Sequence, residues 1–128
     1  MRPKTTPLTA QRAFETIKVV ARAMIDGEGS LAYGELAERI GMPNKTGQGL
    51  GVILDEAARR CAEHGLPNVS VVIVTKASKE AGRPMPLDDS FDSDGHWRLT
   101  GAHRSEIPAM QDAVRSFDWR SKPALGLG

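Results

Sequence analysis

Residues 30–76 read SLAYGELAERIGMPNKTGQGLGVILDEAARRCAEHGLPNVSVVIVTK, and this stretch decides the fold. A short helix over about 34–40 is predicted to end at Gly41, because glycine readily adopts the left-handed conformation that closes a helix. After a turn rich in proline, asparagine and glycine, a longer helix is predicted over about 46–64. The β-branched run over 69–75 then predicts a strand. This order of elements indicates a helix-turn-helix followed by the first strand of a wing.

A helix on each side of this stretch is predicted to complete a single domain over residues 9–120. The first of these helices runs to about Met24, and Ser105 caps the last one. Residues 1–8 and 121–128 are expected to form a flexible lead-in and a flexible tail. Apolar residues at helical spacing predict the buried stripes: Phe14, Ile17, Val20 or Ala21 and Met24 in the first helix, Leu50, Ile53, Leu54, Ala57 and Cys61 in the third, and Ile107, Met110, Val114 and Phe117 in the last. The expected fold class is therefore α+β, a small winged-helix-like domain with a C-terminal helix.

The amino-acid composition and net charge limit the classes of function that the protein can have. The chain has 128 residues, with 17 basic and 16 acidic side chains and a net charge of +1. Such a balance argues against a large phosphate-binding surface, so any nucleic-acid contact must be local. A single cysteine cannot form an internal disulfide, and no apolar run has the length of a signal peptide or a membrane span. These features predict a cytoplasmic protein without a membrane partner.

Residues 32–41, AYGELAERIG, followed by residues 47–51, GQGLG, resemble the winged-helix DNA-binding domain of the alkylguanine-DNA alkyltransferases. That family has a tyrosine-glycine start to the first helix of its helix-turn-helix, an isoleucine-glycine stop, and a recognition helix that begins with small residues. The resemblance covers about 50 of the 128 residues and implies a winged-helix fold with a DNA-binding face. The same stretch, with residues 71–76 and 117–119, also resembles a group of uncharacterised small bacterial proteins, some of them joined to nuclease domains.

The chain departs from the alkyltransferases at the reactive position. That family has its nucleophile in a Pro-Cys-His-Arg motif near the strand after the recognition helix, whereas residues 67–72 read PNVSVV here. The family's intercalating arginine corresponds most nearly to Gln48. Cys61, the one cysteine, lies on the apolar stripe of the third helix and is expected to be a core residue. The resemblance therefore implies DNA binding but not alkyl transfer.

DNA binding is the first hypothesis for function, with the third helix in the major groove. Glutamine suits adenine and lysine suits guanine in that groove, and basic residues after the strand are placed to contact phosphates. Between residues 33 and 83 the chain has seven basic and six acidic residues, which leaves a net charge of only +1. The predicted DNA contacts are Lys45, Thr46, Gln48 and Arg59 on the third helix, and Lys76, Lys79 and Arg83 in the wing.

The alternative is a protein-interaction module, such as a regulator or a phage-type inhibitor of a nucleic-acid-handling complex. It rests on the near-neutral charge, on an acidic loop over residues 88–95, and on Phe91 and Trp97 as exposed contact candidates. An enzyme is not expected, since no nucleophile–base pair and no paired metal-binding carboxylates can be identified. The three histidines show no metal-ligand spacing, and no cofactor is predicted.

Overall fold

The computed structural model describes residues 7–42, 50–86, 91–97 and 101–122. Within these ranges the chain is mostly helical and has one small sheet, which confirms the α+β class. The helices are α1 (Pro7–Ile25), α2 (Tyr33–Arg39), α3 (Leu50–Glu63), α4 (Lys76–Glu80) and α5 (Ile107–Ser116), and the strands are β1 (Leu31–Ala32) and β2 (Ile73–Val74). Among the residues described, no helix is both long and apolar enough to cross a membrane.

Helix α1 packs along α3, and both helices bury one apolar stripe. On α1 the stripe is centred on Ala13, Ile17, Val20 and Met24, which follow one another at three- and four-residue intervals. The prediction that Phe14 belongs to this stripe is wrong, since 38% of its surface is exposed. Phe14 lies one position beside the stripe, and the ammonium group of a neighbouring lysine lies over its ring.

The second helix and its stop agree closely with the sequence prediction. Helix α2 is followed by Gly41 with a φ of +74°, the left-handed conformation that glycine adopts without strain. The next amide, that of Met42, then donates to the carbonyl oxygen of Ala37 at 2.9 Å. All five residues of the stripe predicted for the third helix are buried, although residues 43–49, with the expected turn and helix start, lie outside the described ranges.

The predicted strand over residues 69–75 is largely wrong. Val69–Val72 forms a 3-10 helix, and only Ile73–Val74 is extended in a strand. Asn68 explains the difference, because its side-chain Oδ1 accepts a hydrogen bond from the Ser70 amide and so turns the chain. The β-branched residues are buried between α1, α3 and α5, so the apolar run reflects burial on several sides rather than a central place in a sheet.

The two short strands pair in parallel, with Leu31 opposite Ile73 and Ala32 opposite Val74. The residues expected to form a wing after the strand instead form α4. Thr75 begins this helix by accepting a hydrogen bond from the Ser78 amide at 3.1 Å through its Oγ1. The basic residues predicted for the wing therefore lie on and just after a helix.

The C-terminal part closes the core, but the prediction that Ser105 caps the last helix is wrong, because the Ser105 amide instead donates to the side chain of His103. Helix α5 buries Ile107 and Val114, with Pro108 in its first turn, where no amide donor is needed. Trp119 is 1% exposed, and its indole Nε1 donates to the Val114 carbonyl oxygen at 2.9 Å. It packs against α1, which joins the two ends of the described chain.

Candidate nucleic-acid interface

A cleft lies where the two parallel strands end. Because β1 and β2 run in the same direction, their carboxyl ends meet at one edge of the sheet, and α2 and α4 begin there. The cleft has a volume of about 630 Å³. Its walls are Ala32, Tyr33, Gly34 and Glu35 from the start of α2, and Thr75, Lys76, Lys79 and Glu80 from α4. Residues separated by more than 40 positions in the chain thus form one surface.

Lys79 joins the two walls of this cleft. Its Nζ lies 2.9 Å from Glu35 Oε1 and 3.1 Å from the carbonyl oxygen of Ser30. The same carboxylate oxygen accepts a hydrogen bond from the Ala32 amide at 2.9 Å. The Ala32 amide, followed by Lys79, lowers the pKa of Glu35. Lys79, a predicted DNA contact, is therefore half-buried and engaged within the protein.

Lys76 and Arg83 are placed differently from Lys79. Both side chains are exposed, and neither forms an ion pair within the part of the chain that the structure describes. Lys76 lines the cleft, and Arg83 follows α4 in the chain. Their charges are available to an anionic partner at little cost in lost internal contacts.

Arg59, the predicted contact on the third helix, is held by carboxylates of its own helix. Its guanidinium pairs with both Glu56 and Glu63, and Glu56 also accepts from Arg60 Nε at 3.1 Å. Glu56 is 2% exposed and needs these partners, because an unpaired buried carboxylate is costly. Glu56, the largest cause, raises the pKa of Arg59. Arg59 therefore serves first to neutralise a buried charge.

The outward face of α3 is more acidic and apolar than basic over the described residues. Val52 is 57% exposed, and both Asp55 and Glu63 face solvent. Lys45, Thr46 and Gln48, the predicted base-reading residues, lie outside the described ranges. A lengthwise approach of α3 to a phosphate backbone would meet two carboxylates.

Phe91 and Trp97 are buried, so their predicted exposure is wrong. Each is 5% exposed, and the two ring centroids are 6.4 Å apart across a pair of backbone segments. Both belong to the main hydrophobic core, and the Arg104 guanidinium lies 4.6 Å from the Phe91 ring centroid. They cannot serve as contact residues while this segment keeps its fold.

Three cleft residues were not predicted from the sequence: Tyr33, Glu35 and Thr75. A threonine followed by the helix-forming segment KASKE is a recognisable helix start, and an acidic residue such as Glu35 is typical of the first turn of a helix. These signals locate helix ends, but the cleft exists only because the two strands pair. Strands of only two residues leave no pattern in the sequence from which their pairing could be predicted.

Metal binding has no assembled site among the described residues. No three histidine, cysteine, aspartate or glutamate side chains in these ranges are grouped closely enough to hold a metal ion. Cys61 is fully buried, and burial raises the pKa of its thiol. Its prediction as a core residue is confirmed, because a reactive thiol needs an exposed and electropositive setting.

Comparisons of the chain with known protein families, with curated proteins and with solved structures found no match. Function is therefore inferred from the charges, burial and hydrogen bonds described above.

Proposed function

We propose that the protein binds double-stranded DNA without catalysing a reaction, as a helix-turn-helix domain of the winged-helix type. The observation that supports this most directly is the cleft, in which the pairing of β1 with β2 brings the exposed Lys76 beside the start of α2. In helix-turn-helix proteins the first helix crosses the phosphate backbone, and the second enters the major groove. The Lys76 ammonium group beside the first helix therefore suits a phosphate contact.

The proposed contacts divide into two kinds. Lys76 and Arg83 bind phosphates, which positions the domain on the duplex without reading its sequence. Lys45, Thr46 and Gln48, which precede α3 in the chain, contact base edges. Lysine pairs well with guanine, and glutamine pairs well with adenine.

The third helix is proposed to enter the groove by its N-terminal end. The outward carboxylates of Asp55 and Glu63 lie further along the helix, where Glu63 is paired with Arg59 and Asp55 would be repelled by phosphates. An end-on approach keeps them away from the backbone, and N-terminal residues are the ones that contact bases in this class of domain. It also leaves Arg59 bound to its two glutamates.

The test compares two double variants of equal charge. Lys76→Ala with Arg83→Ala is expected to weaken binding to all duplex sequences alike. It should also reduce the slope of log affinity against log salt by about 2, since each lost phosphate contact removes about 0.9. Lys18→Ala with Arg120→Ala, which removes two exposed charges elsewhere, is the control. If the salt slopes of the two double variants were equal, the assignment of Lys76 and Arg83 as phosphate contacts would be wrong.

A protein-interaction module is the second candidate, because apolar side chains are exposed on two helices. Leu8 on α1 is 53% exposed, and Val52 on α3 is 57% exposed. An exposed valine on an acidic helix face fits a protein surface better than a phosphate backbone. A photo-cross-linking residue at position 52 is expected to form adducts with one protein partner in cells, while the same residue at position 120 gives none. Equal yields of cross-linked adduct at positions 52 and 120 would contradict a protein-interaction function for this surface.

A further inference from the structure

The cleft between α2 and α4 has the size and the surface of a small-molecule site. Its volume of about 630 Å³ falls within the range of about 300–1,000 Å³ that is typical of ligand pockets. Most of the surface that lines it is apolar, and both Ala32 and Tyr33 belong to that lining. A single phosphate contact at Lys76 would use only a small part of this volume. The rest of the cleft has room for a ligand of its own.

The walls of the cleft are held in place by contacts within the protein. Tyr33 packs against the hydrophobic core, and the Lys79 Nζ on one wall lies 2.9 Å from Glu35 Oε1 on the other. Thr75 fixes the start of α4 through the hydrogen bond that its Oγ1 accepts from the Ser78 amide. A cleft whose walls are already ordered loses little conformational entropy when it is filled, and this favours binding.

Four of the described side chains that line the cleft are charged, and two of these neutralise each other as the Lys79–Glu35 ion pair. The other two, Lys76 and Glu80, are exposed, and neither forms an ion pair with any residue that the structure describes. They lie four positions apart on α4, and residues at this spacing are neighbours on a helix surface. The cleft therefore offers one ammonium group and one carboxylate close together.

Two neighbouring charges of opposite sign favour a zwitterionic ligand. A small anion would pair with Lys76 but would leave the Glu80 carboxylate without a partner, and a small cation would do the reverse. A free α-amino acid carries a carboxylate and an ammonium group on one carbon atom, so it can pair with both side chains. The Thr75 hydroxyl hydrogen has no acceptor among the described residues, and it can donate to the same carboxylate.

We propose that the cleft binds a free α-amino acid with an aromatic side chain. Lys76 and the Thr75 hydroxyl bind its carboxylate, and Glu80 binds its ammonium group. The aromatic ring of the ligand packs against Tyr33, because aromatic pairs gain more than the burial of their surface alone. The charged hydrogen bonds at the other end select for a zwitterion. This inference goes beyond the proposed DNA binding, and its test contains no DNA.

The test is an NMR titration of the full chain with three probes that share a phenyl ring and differ in charge. L-Phenylalanine carries both charges, 3-phenylpropionate carries only the carboxylate, and phenethylamine carries only the ammonium group. L-Phenylalanine is expected to shift the amide signals of Ala32 and Thr75 and to bind about tenfold more tightly than either other probe, since each of those lacks one charged hydrogen bond. Equal affinities for the three probes, or no shift of these amides up to the solubility limit of phenylalanine, would overturn the proposal.

Two variants at exposed positions, where the fold is expected to be kept, assign the two charges. Lys76→Gln should weaken the binding of phenylalanine by about tenfold without weakening that of phenethylamine, which has no carboxylate. Glu80→Gln should weaken the binding of phenylalanine to a similar extent without weakening that of 3-phenylpropionate. Arg120→Gln removes an exposed charge outside the cleft and should leave all three affinities unchanged. If Lys76→Gln left the affinity for phenylalanine unchanged, or weakened the binding of all three probes alike, the proposed site would be wrong.

Discussion

Lys79 and Glu35 lie 44 residues apart in the chain, yet the lysine Nζ is 2.9 Å from the glutamate Oε1. This ion pair connects α4 to the start of α2 at the edge of the small parallel sheet. It separates the basic residues of the cleft into two kinds. Lys79 is bound within the protein, whereas the Lys76 side chain is exposed and forms no ion pair with any described residue.

The Lys79–Glu35 pair is expected to stabilise the fold by only about 0.2–1 kcal/mol, because both side chains are about a third or more exposed. A double-mutant cycle with Lys79→Met and Glu35→Gln, followed by urea unfolding, measures this coupling. The single Glu35→Gln variant is expected to lower the free energy of unfolding by more than the coupling energy, since it also weakens the hydrogen bond from the Ala32 amide. A coupling of zero would show that the two side chains act independently.

The stability of the protein is expected to depend on Glu35 in acid. The Ala32 amide and then Lys79 lower its pKa from the ordinary value of 4.5 in the folded state. The stabilisation is therefore fully present above pH 4.5 and is lost as the pH falls through the lowered value. The difference in unfolding free energy between the unaltered protein and Glu35→Gln should shrink from pH 6 to pH 3. A difference that stays constant over this range would contradict the assignment.

Gln111 is expected to be a sensitive position in α5. It is 3% exposed, and its Nε2 donates to the carbonyl oxygens of Val71 and Pro84, both at 2.9 Å. Gln111→Leu keeps most of the volume but leaves these acceptors without a donor, which should cost about 1–3 kcal/mol. Asp112→Asn, at the exposed neighbouring position, serves as the control and should change stability by less than about 0.5 kcal/mol. Urea unfolding of both variants provides the comparison.

Local signals in the sequence predicted α1, α2, α3 and α5, but they missed α4 and predicted the connections between helices poorly. Gly41 marks a helix end through its own backbone conformation, which requires no tertiary contact. The run from Val69 to Val72 looked like a strand because β-branched residues are common there, but the Asn68 side chain turns the backbone and the surrounding helices bury the run. The β-strand propensity of a segment predicts its structure poorly where side-chain capping and burial act together.

The cleft and the buried aromatic pair lay beyond sequence reasoning for a related reason. A strand of two residues shows no alternation, so the parallel pairing of Leu31 with Ile73 leaves no pattern to read. Trp97 lies in an irregular segment without periodicity, so its burial depends on which part of the core the helices leave uncovered. Both features arise from long-range contacts between elements.

Arg59 and Lys76 are expected to behave differently when each is replaced by alanine. Arg59→Ala leaves the buried Glu56 with one fewer partner and should destabilise the fold, with little effect on DNA affinity at a temperature where the variant is folded. Lys76→Ala should keep the stability and weaken DNA binding. Thermal unfolding and binding titrations on both variants measure the two effects. A larger loss of affinity for Arg59→Ala would favour a lengthwise contact of α3.

The most direct test of DNA binding is fluorescence anisotropy of a labelled random-sequence duplex, titrated with the protein from low to physiological salt. We expect binding at low salt that weakens steeply and linearly on a plot of log affinity against log salt, because phosphate contacts release counterions. No binding at the lowest salt, or binding that salt leaves unchanged, would contradict it.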